Sequence, residues 1–220
     1  IDLMVEERLK GKPLAYLIGK KGFWKNSFIV TPDVLVPRPE TETLVDAILN
    51  ENLQGKTLLE LGTGSGAISI SIAQENKDCF IFATDISIKS ILVAKQNAAK
   101  FCCENIIFLN HDWNDEWLFP QVDYLISNPP YVDKEATSGK EEGIWHEPEI
   151  ALFSKDKGLS DLKLILSKGK NFLNENGKVY LEHAPDQYEE LNKFAMENGY
   201  LNFSNLNDLN GDKRVSIYQC

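Results

Sequence analysis

The chain has 220 residues, the size of one ordinary α/β domain and too short for two large ones. At 43% hydrophobic and 25% charged it reads as a globular protein that can bury roughly 70% of its unfolded surface, so its core needs neither disulfides nor a metal. Lys and Arg total 23 against 33 Asp and Glu, a net charge of −10, which argues against a protein built to grip duplex DNA or RNA, where a basic footprint supplies most of the affinity.

Residues 1–12 read as the end of a helix stopping near Gly11. A lone helix end normally packs on something, so a preceding domain is expected to be missing. Residues 22–36 are rich in aromatic and β-branched residues around Lys25 and Asn26, a hairpin signal. Pro37-Arg38-Pro39-Glu40-Thr41-Glu42 then forces an extended segment and opens a helix with Pro and acidic residues in its first turn. Leu44, Val45, Ile48 and Leu49 give that helix one apolar stripe.

From residue 57 onward strands and helices alternate. Strands are expected at 57–61, 80–84, 106–109, 122–127 and 178–182, with a last pair near Phe203 and at 215–218. Helices are expected at 67–74, 87–101, 158–173 and 186–198. Near-continuous apolar strands separated by helices predict a parallel sheet covered on both faces. The reading is an α/β fold with a doubly wound seven-stranded sheet, divided into residues 1–35, a helix end plus hairpin linker, and residues 36–220, the catalytic unit. Residues 139–148 are polar and irregular and read as a loop or lid.

The first chemical constellation is Gly62-Thr63-Gly64-Ser65-Gly66 between the 57–61 strand and a helix. Glycines at alternate positions let a ligand lie against bare backbone. The spacing G-x-G-x-G departs from the G-x-G-x-x-G of dinucleotide sites and suits the amino-acid portion of S-adenosyl-L-methionine; a tight turn without a ligand is the bland alternative. Asp85, closing the next strand, is placed to accept two ribose hydroxyls, though it could equally cap the helix that follows. Asp112 and Trp113, after the third strand, are candidates to meet an adenine amino group and cover its ring.

The second constellation, Asn128-Pro129-Pro130-Tyr131, follows the strand at 122–127. Two prolines stiffen the backbone and remove two amide donors, leaving the Asn128 side-chain oxygen and the Pro129 carbonyl as acceptors. Two acceptors at one corner can hold both hydrogens of a planar NH2 group, and Tyr131 offers it a flat wall. Transfer of a methyl from a sulfonium to such a nitrogen can be driven largely by positioning. These four residues are the catalytic and substrate-binding candidates; Asn128 also belongs to the cofactor set.

The glycine turn followed by Asn-Pro-Pro-Tyr resembles the class I S-adenosylmethionine-dependent methyltransferases, Rossmann-like in fold, that act on planar nitrogens. Further matches narrow this: Pro13 to Gly19, Phe23-Trp24, Val36 to Glu42, Glu147-Pro148, Ala151-Leu152 and Asp212 to Val215. Together they resemble the HemK/PrmC family, the glutamine methyltransferases of peptide chain release factors, from about residue 8 to the C-terminus. The resemblance implies methylation of the side-chain amide of the Gln in a release factor's Gly-Gly-Gln motif, with S-adenosyl-L-homocysteine as by-product. It implies that Gly62 to Gly66, Asp85, Trp113 and Asn128 contact the cofactor and that Asn128 to Tyr131 hold the glutamine. A DNA or RNA adenine methyltransferase is the alternative, since an adenine amino group is also planar; the net charge weighs against it.

Cys79, Cys102, Cys103 and Cys220 form no C-x-x-C pair, and His111, His146 and His183 lack ligand spacing, so neither a zinc site nor a disulfide framework is expected. No membrane-length apolar run or signal segment is visible, and a reduced, cytoplasmic monomer without direct nucleic-acid binding is expected. Arg38 and Glu40 could line the cofactor mouth or pair with each other. His183 reads as structural, Glu141 and Glu142 as solvated charges, and His146 as a residue that could touch substrate.

Overall fold

A computed structural model of the chain describes residues 2–137 and 144–220. Helices α1 (Asp2–Leu9) and α2 (Leu14–Ile18) lead into a hairpin of β1 (Lys20–Phe23) and β2 (Asn26–Ile29). Its turn falls at Trp24 and Lys25, with Trp24 at φ 52°, an unusual conformation for a bulky residue; its amide N–H donates to Glu42 at 2.8 Å and anchors the turn. Phe23 and Phe28 enter the main core, with Phe28 edge-to-face on Phe101.

The Pro39–Thr41 segment is a single 3-10 turn that runs into α3 (Glu42–Leu49), whose Leu44, Val45 and Ile48 are fully buried. Then come β3 (Thr57–Leu61), α4 (Ala67–Glu75), β4 (Phe80–Asp85), α5 (Ile88–Lys100), β5 (Ile106–Asn110) and β6 (Val122–Ser127). After the one-turn α6 (Lys134–Thr137) the chain continues through α7 (Ser160–Gly169), β7 (Leu173–Glu182), α8 (Tyr188–Glu197), β8 (Asn202–Asn207) and β9 (Lys213–Gln219).

The seven strands from β3 onward form one sheet in the order β5-β4-β3-β6-β7-β9-β8. The pleat sends neighbours to opposite faces: Leu58 packs with α3, α4 and α5, and Leu59 with α7 and α8. Both faces are therefore covered, as the apolar strands predict.

Two expectations need correction. The sheet is mixed, because β9 runs antiparallel to both β7 and β8. The β8–β9 connection is too short for a crossover, and a short turn can join only antiparallel neighbours. Second, β7 begins at Leu173, five residues earlier than expected, and α7 ends before it. The stretch Asn174-Glu175-Asn176-Gly177 reads as a turn, yet it is an irregularity within the strand: register jumps from Val122↔Leu173 to Tyr124↔Lys178, with Asn176 at φ 63°. The loop expected at 139–148 is not tested, since half of it, Glu141 and Glu142 included, lies outside the described residues. Its described end is a 3-10 turn at Ile144–His146 followed by a buried Glu147.

Candidate active site

Strand order reverses between β3 and β6, and open α/β sheets gather ligands at that edge. Leu61 and Ser127 are register partners, and the Ser127 hydroxyl donates to the Leu61 carbonyl at 2.7 Å. The glycine turn and the Asn-Pro-Pro-Tyr corner thus leave the sheet side by side.

A cleft of about 320 Å³ opens there, floored by Gly62, Gly64, Asp85, Asp112, Trp113, Asn128 and Pro130 and rimmed by residues 32–35 on one side and by Pro148, Ile150, Ala151 and Phe153 on the other. A second hollow of about 260 Å³ adjoins it, lined by Arg38, Pro129, Tyr131, Val132, Thr137 and Leu152, with Leu35, Asn128 and Ala151 common to both. The predicted residues therefore divide: six of the cofactor candidates line the first cleft, and Asn128 stands where the two meet.

Thr63, Ser65 and Gly66 hold the glycine turn from beneath. Thr63 and Ser65 are buried. Gly66 sits at φ 80°, and a Cβ there would come within 2.7 Å of Ile70 Cδ1. Gly62 (φ 75°) faces the Trp113 ring, which a Cβ would meet at 3.2 Å, while Gly64 (φ 55°) has open space beside it. Bare backbone lines the cleft where a ligand would rest.

Beneath this turn lies Glu60, fully buried. It accepts from the Thr63 hydroxyl at 2.8 Å and from the Ser69 hydroxyl. Burial pushes its carboxyl up to about 7 against those two donors. Asp85 accepts the Gly64 N–H on Oδ2 and the Ser87 N–H on Oδ1, both at 2.9 Å. Burial raises its pKa, opposed by these amides. The helix cap itself is Ser87, whose side chain accepts from Ser90 N–H, so Asp85 ties the turn to the helix start rather than capping it. Asp112 Oδ1 accepts from the Asn114 backbone and side-chain nitrogens at 2.8 Å each. Trp113 Nε1 donates to Asp161 at 3.1 Å, and Asp161 also accepts from Ser154 at 2.5 Å.

At the corner, Asn128 Nδ2 donates to Thr41 Oγ1 at 3.1 Å. With Nδ2 turned to Thr41, the amide oxygen is the acceptor that Asn128 can offer the cleft. Tyr131 donates its hydroxyl to Glu182 Oε1 at 3.0 Å, and Gln187 Nε2 donates to the Tyr131 carbonyl at 2.9 Å. Glu182, at the end of β7, is fully buried; burial pushes its carboxyl up to about 7, opposed by the hydroxyls of Thr41 and Tyr131 and the charge of Arg214.

Arg38 pairs with buried Glu147 at 2.5 Å rather than with Glu40, and Glu147 also accepts the Val36 N–H at 2.9 Å. That arrangement holds the guanidinium at the second hollow. His146 meets the Lys10 carbonyl at 2.9 Å. His183 is buried between Ser216 Oγ and the Ala184 carbonyl, and burial lowers its pKa, so it serves as the structural histidine expected.

Sequence reasoning met Thr41 and Glu147 only as matches to the family and gave them no role, and it passed over Glu60, Asp161, Glu182 and Gln187; all six support the site from below or behind. An acidic residue closing an apolar strand was the available signal for Glu182, the same one that singles out Asp85.

The profile of a family described as "Methyltransferase small domain" matches residues 39–147. The release factor glutamine methyltransferase of Coxiella burnetii is 38% identical over 222 residues, covering 99% of this chain and 78% of that protein. The chain belongs to the release factor glutamine methyltransferase family. Its counterpart in Aliivibrio fischeri is 35% identical, with 99% of this chain and 78% of that protein covered. Among solved structures, a methyltransferase from Pyrococcus furiosus superposes with a TM-score of 0.66 at 19% identity, covering 100% of this chain and 98% of that one. That likeness bears out the doubly wound methyltransferase fold. No helix among the described residues is long and apolar enough to cross a membrane.

Proposed function

We infer that this chain methylates the side-chain amide nitrogen of the glutamine in the Gly-Gly-Gln motif of peptide chain release factors, using S-adenosyl-L-methionine as donor. The observation that carries the reading is the meeting of two cavities at Asn128, whose amide nitrogen is engaged by Thr41 and whose oxygen is thereby left for a donor. A substrate NH2 group needs such an acceptor; a flipped carboxamide would face it with hydrogens.

In this reading Gly62 to Gly66, Asp85, Asp112, Trp113 and Asn128 hold the donor in the larger cleft. The fit is supported by the bare backbone at Gly62 and Gly64 and by a volume within the ordinary range for small-molecule sites, roughly 300–1,000 Å³. When bound, the donor supplies an electrophilic methyl on a sulfonium. Asn128 and the Pro129 carbonyl orient the amide, Tyr131 flanks it, and the smaller hollow with Arg38 admits the glutamine.

Residues 36–220 form the catalytic unit of this reading and residues 1–35 a leading segment, although Pro32 to Leu35 contribute to the cleft rim. The surroundings we propose are cytoplasmic, with the protein acting as a monomer and without direct nucleic-acid binding. The test is incubation with donor and either a release factor or duplex DNA, followed by mass spectrometry of the Gly-Gly-Gln peptide. One added methyl on the glutamine is expected. Transfer to DNA and not to the factor would overturn the reading in favour of an adenine methyltransferase.

A further inference from the structure

The smaller hollow carries four polar side chains, Arg38, Asn128, Tyr131 and Thr137, and the rest of its lining is apolar. Two of the four have given away their only hydrogen: Tyr131 to Glu182 at 3.0 Å and Thr137 to the Asp133 carbonyl at 2.6 Å. Asn128 turns its nitrogen to Thr41 at 3.1 Å. The Arg38 guanidinium has several N–H donors, and among the described residues it makes one hydrogen bond, from Nη2 to Glu147 Oε1 at 2.5 Å. The hollow therefore offers an acceptor at Asn128, where it meets the larger cleft, and unspent donors at Arg38.

Arg38 is held in place. Glu147, its side chain 2% exposed, takes Arg38 Nη2 on Oε1 and the Val36 N–H on Oε2 at 2.9 Å, so one carboxylate grips the chain on both sides of Pro37. The Arg38 side chain is 33% exposed, which sets it toward the mouth of the hollow. A guanidinium fixed in this way loses little freedom when it meets a ligand. A glutamine within a peptide has the matching order of groups, its NH2 at the side-chain tip and carbonyl oxygens along its main chain. A main-chain carbonyl entering a largely apolar hollow gives up water and needs a donor in exchange.

We propose that Arg38 is a substrate-binding residue that donates to a main-chain carbonyl oxygen beside the target glutamine, and that Glu147 is the positioning residue that aims it. The inference rests on the functional reading above and names what holds the substrate's main chain at the same site. It makes the hollow a reader of glutamine within a peptide, with the side chain sorted at Asn128 and the main chain at Arg38. A pair serving only to neutralise a buried carboxylate would leave substrate affinity unchanged when both partners are removed together.

The experiment compares wild type with Arg38→Met, Glu147→Gln and the double variant, which removes the pair without leaving a buried charge unpaired. It measures kcat and KM on the release factor and cofactor Kd by calorimetry. In Arg38→Met and in the double variant KM is expected to rise ~10- to 100-fold, the effect of losing a hydrogen bond to a charged group, with kcat changed less than ~3-fold. Cofactor Kd is expected to stay near the wild-type value, because Arg38 does not line the larger cleft. Glu147→Gln keeps an acceptor for Val36 and loses the charge that aims Arg38; it is expected to raise KM by itself and to add nothing to Arg38→Met. Because the acceptor is a neutral carbonyl, the KM ratio of Arg38→Met to wild type is expected to hold between ~0.05 and ~0.5 M salt. Unchanged KM in the double variant would overturn the inference, leave a structural pair and let the function stand. A loss confined to kcat would do the same, as would a KM ratio that collapses at high salt, which would point to an acidic group on the factor. Unchanged KM in Glu147→Gln, or a loss that adds to that of Arg38→Met, would overturn the positioning role. A wild-type protein that methylates no glutamine would bring down the functional reading first, and this inference with it.

Discussion

Two fully buried carboxylates sit under the two halves of the cleft, and they are supported in matching ways. Glu60 lies beneath the glycine turn and takes hydroxyls from Thr63 and Ser69, both within nine residues of it. Glu182 lies beneath the Asn-Pro-Pro-Tyr corner and takes the hydroxyl of Tyr131, 51 residues away. Burial pushes both up to about 7. The difference is in range. The cofactor side is a local device, closed within one strand-turn-helix unit. The substrate side is assembled from the turn before α3, the ends of β6 and β7, and the start of α8.

Breaking the substrate side at its tip should do the most damage to turnover. Asn128→Ala removes the acceptor itself, and kcat should fall ~10²- to 10³-fold, far more than cofactor affinity weakens, as seen when one preorganised hydrogen-bonding group is removed from a site. Steady-state kinetics with calorimetric binding would check it; near-normal turnover would refute the amide-holding role. Gly158→Ala attacks the same side from behind. Gly158 has φ 85°, and a Cβ there would stand 2.0 Å from the Tyr131 carbonyl oxygen and 2.6 Å from Gln187 Nε2. The backbone must shift, so a loss of about 3 kcal/mol in stability is expected by urea unfolding.

This contrast also explains what the sequence disclosed. The glycine turn, Asp85 and the proline corner are contiguous or close a strand, so spacing alone reveals them. The boundaries of β3 and β6 were legible because each run is mostly apolar and ends at the glycine turn or the Asn-Pro-Pro-Tyr corner. Thr41 and Gln187 were not, because each matters only through a contact 56 or more residues away. The start of β7 was hidden for another reason: Asn-Glu-Asn-Gly is turn chemistry, and only pairing with β6 keeps it in the sheet. The reversal of β9 is likewise a property of the short connection before it, not of the apolar pattern along it.

On the cofactor side the expected effects are smaller. Asp85→Asn keeps the shape but loses charge and one acceptor's worth of backbone anchoring. Hydrogen bonds to a charged group contribute about 1.5–3 kcal/mol, so cofactor affinity should weaken ~10- to 100-fold with kcat at saturation little altered. A fall in kcat larger than the fall in affinity would mean that the two sides are not separable.

The smallest effect sharpens the comparison most. Because Glu60 holds its proton more tightly folded than unfolded, its contribution to stability is full below its ordinary value of 4.5 and declines as pH rises to about 7. Ser69→Ala removes the strongest of the donors that favour the charged form. The carboxyl should then move higher still, leaving stability on the acid side almost untouched and lowering it by about 1 kcal/mol above neutrality. Tyr131→Phe removes the matching donor at Glu182 and should give the same pH-dependent loss of stability. The two variants should part company in kinetics: Ser69→Ala acts on cofactor Kd, because its carboxylate carries the glycine turn, and Tyr131→Phe on kcat, because its carboxylate carries the corner. Urea unfolding on either side of neutrality, paired with Kd and kcat, separates the cases. If both variants altered the same kinetic constant, the two carboxylates would belong to one cooperative unit rather than to two independently braced halves.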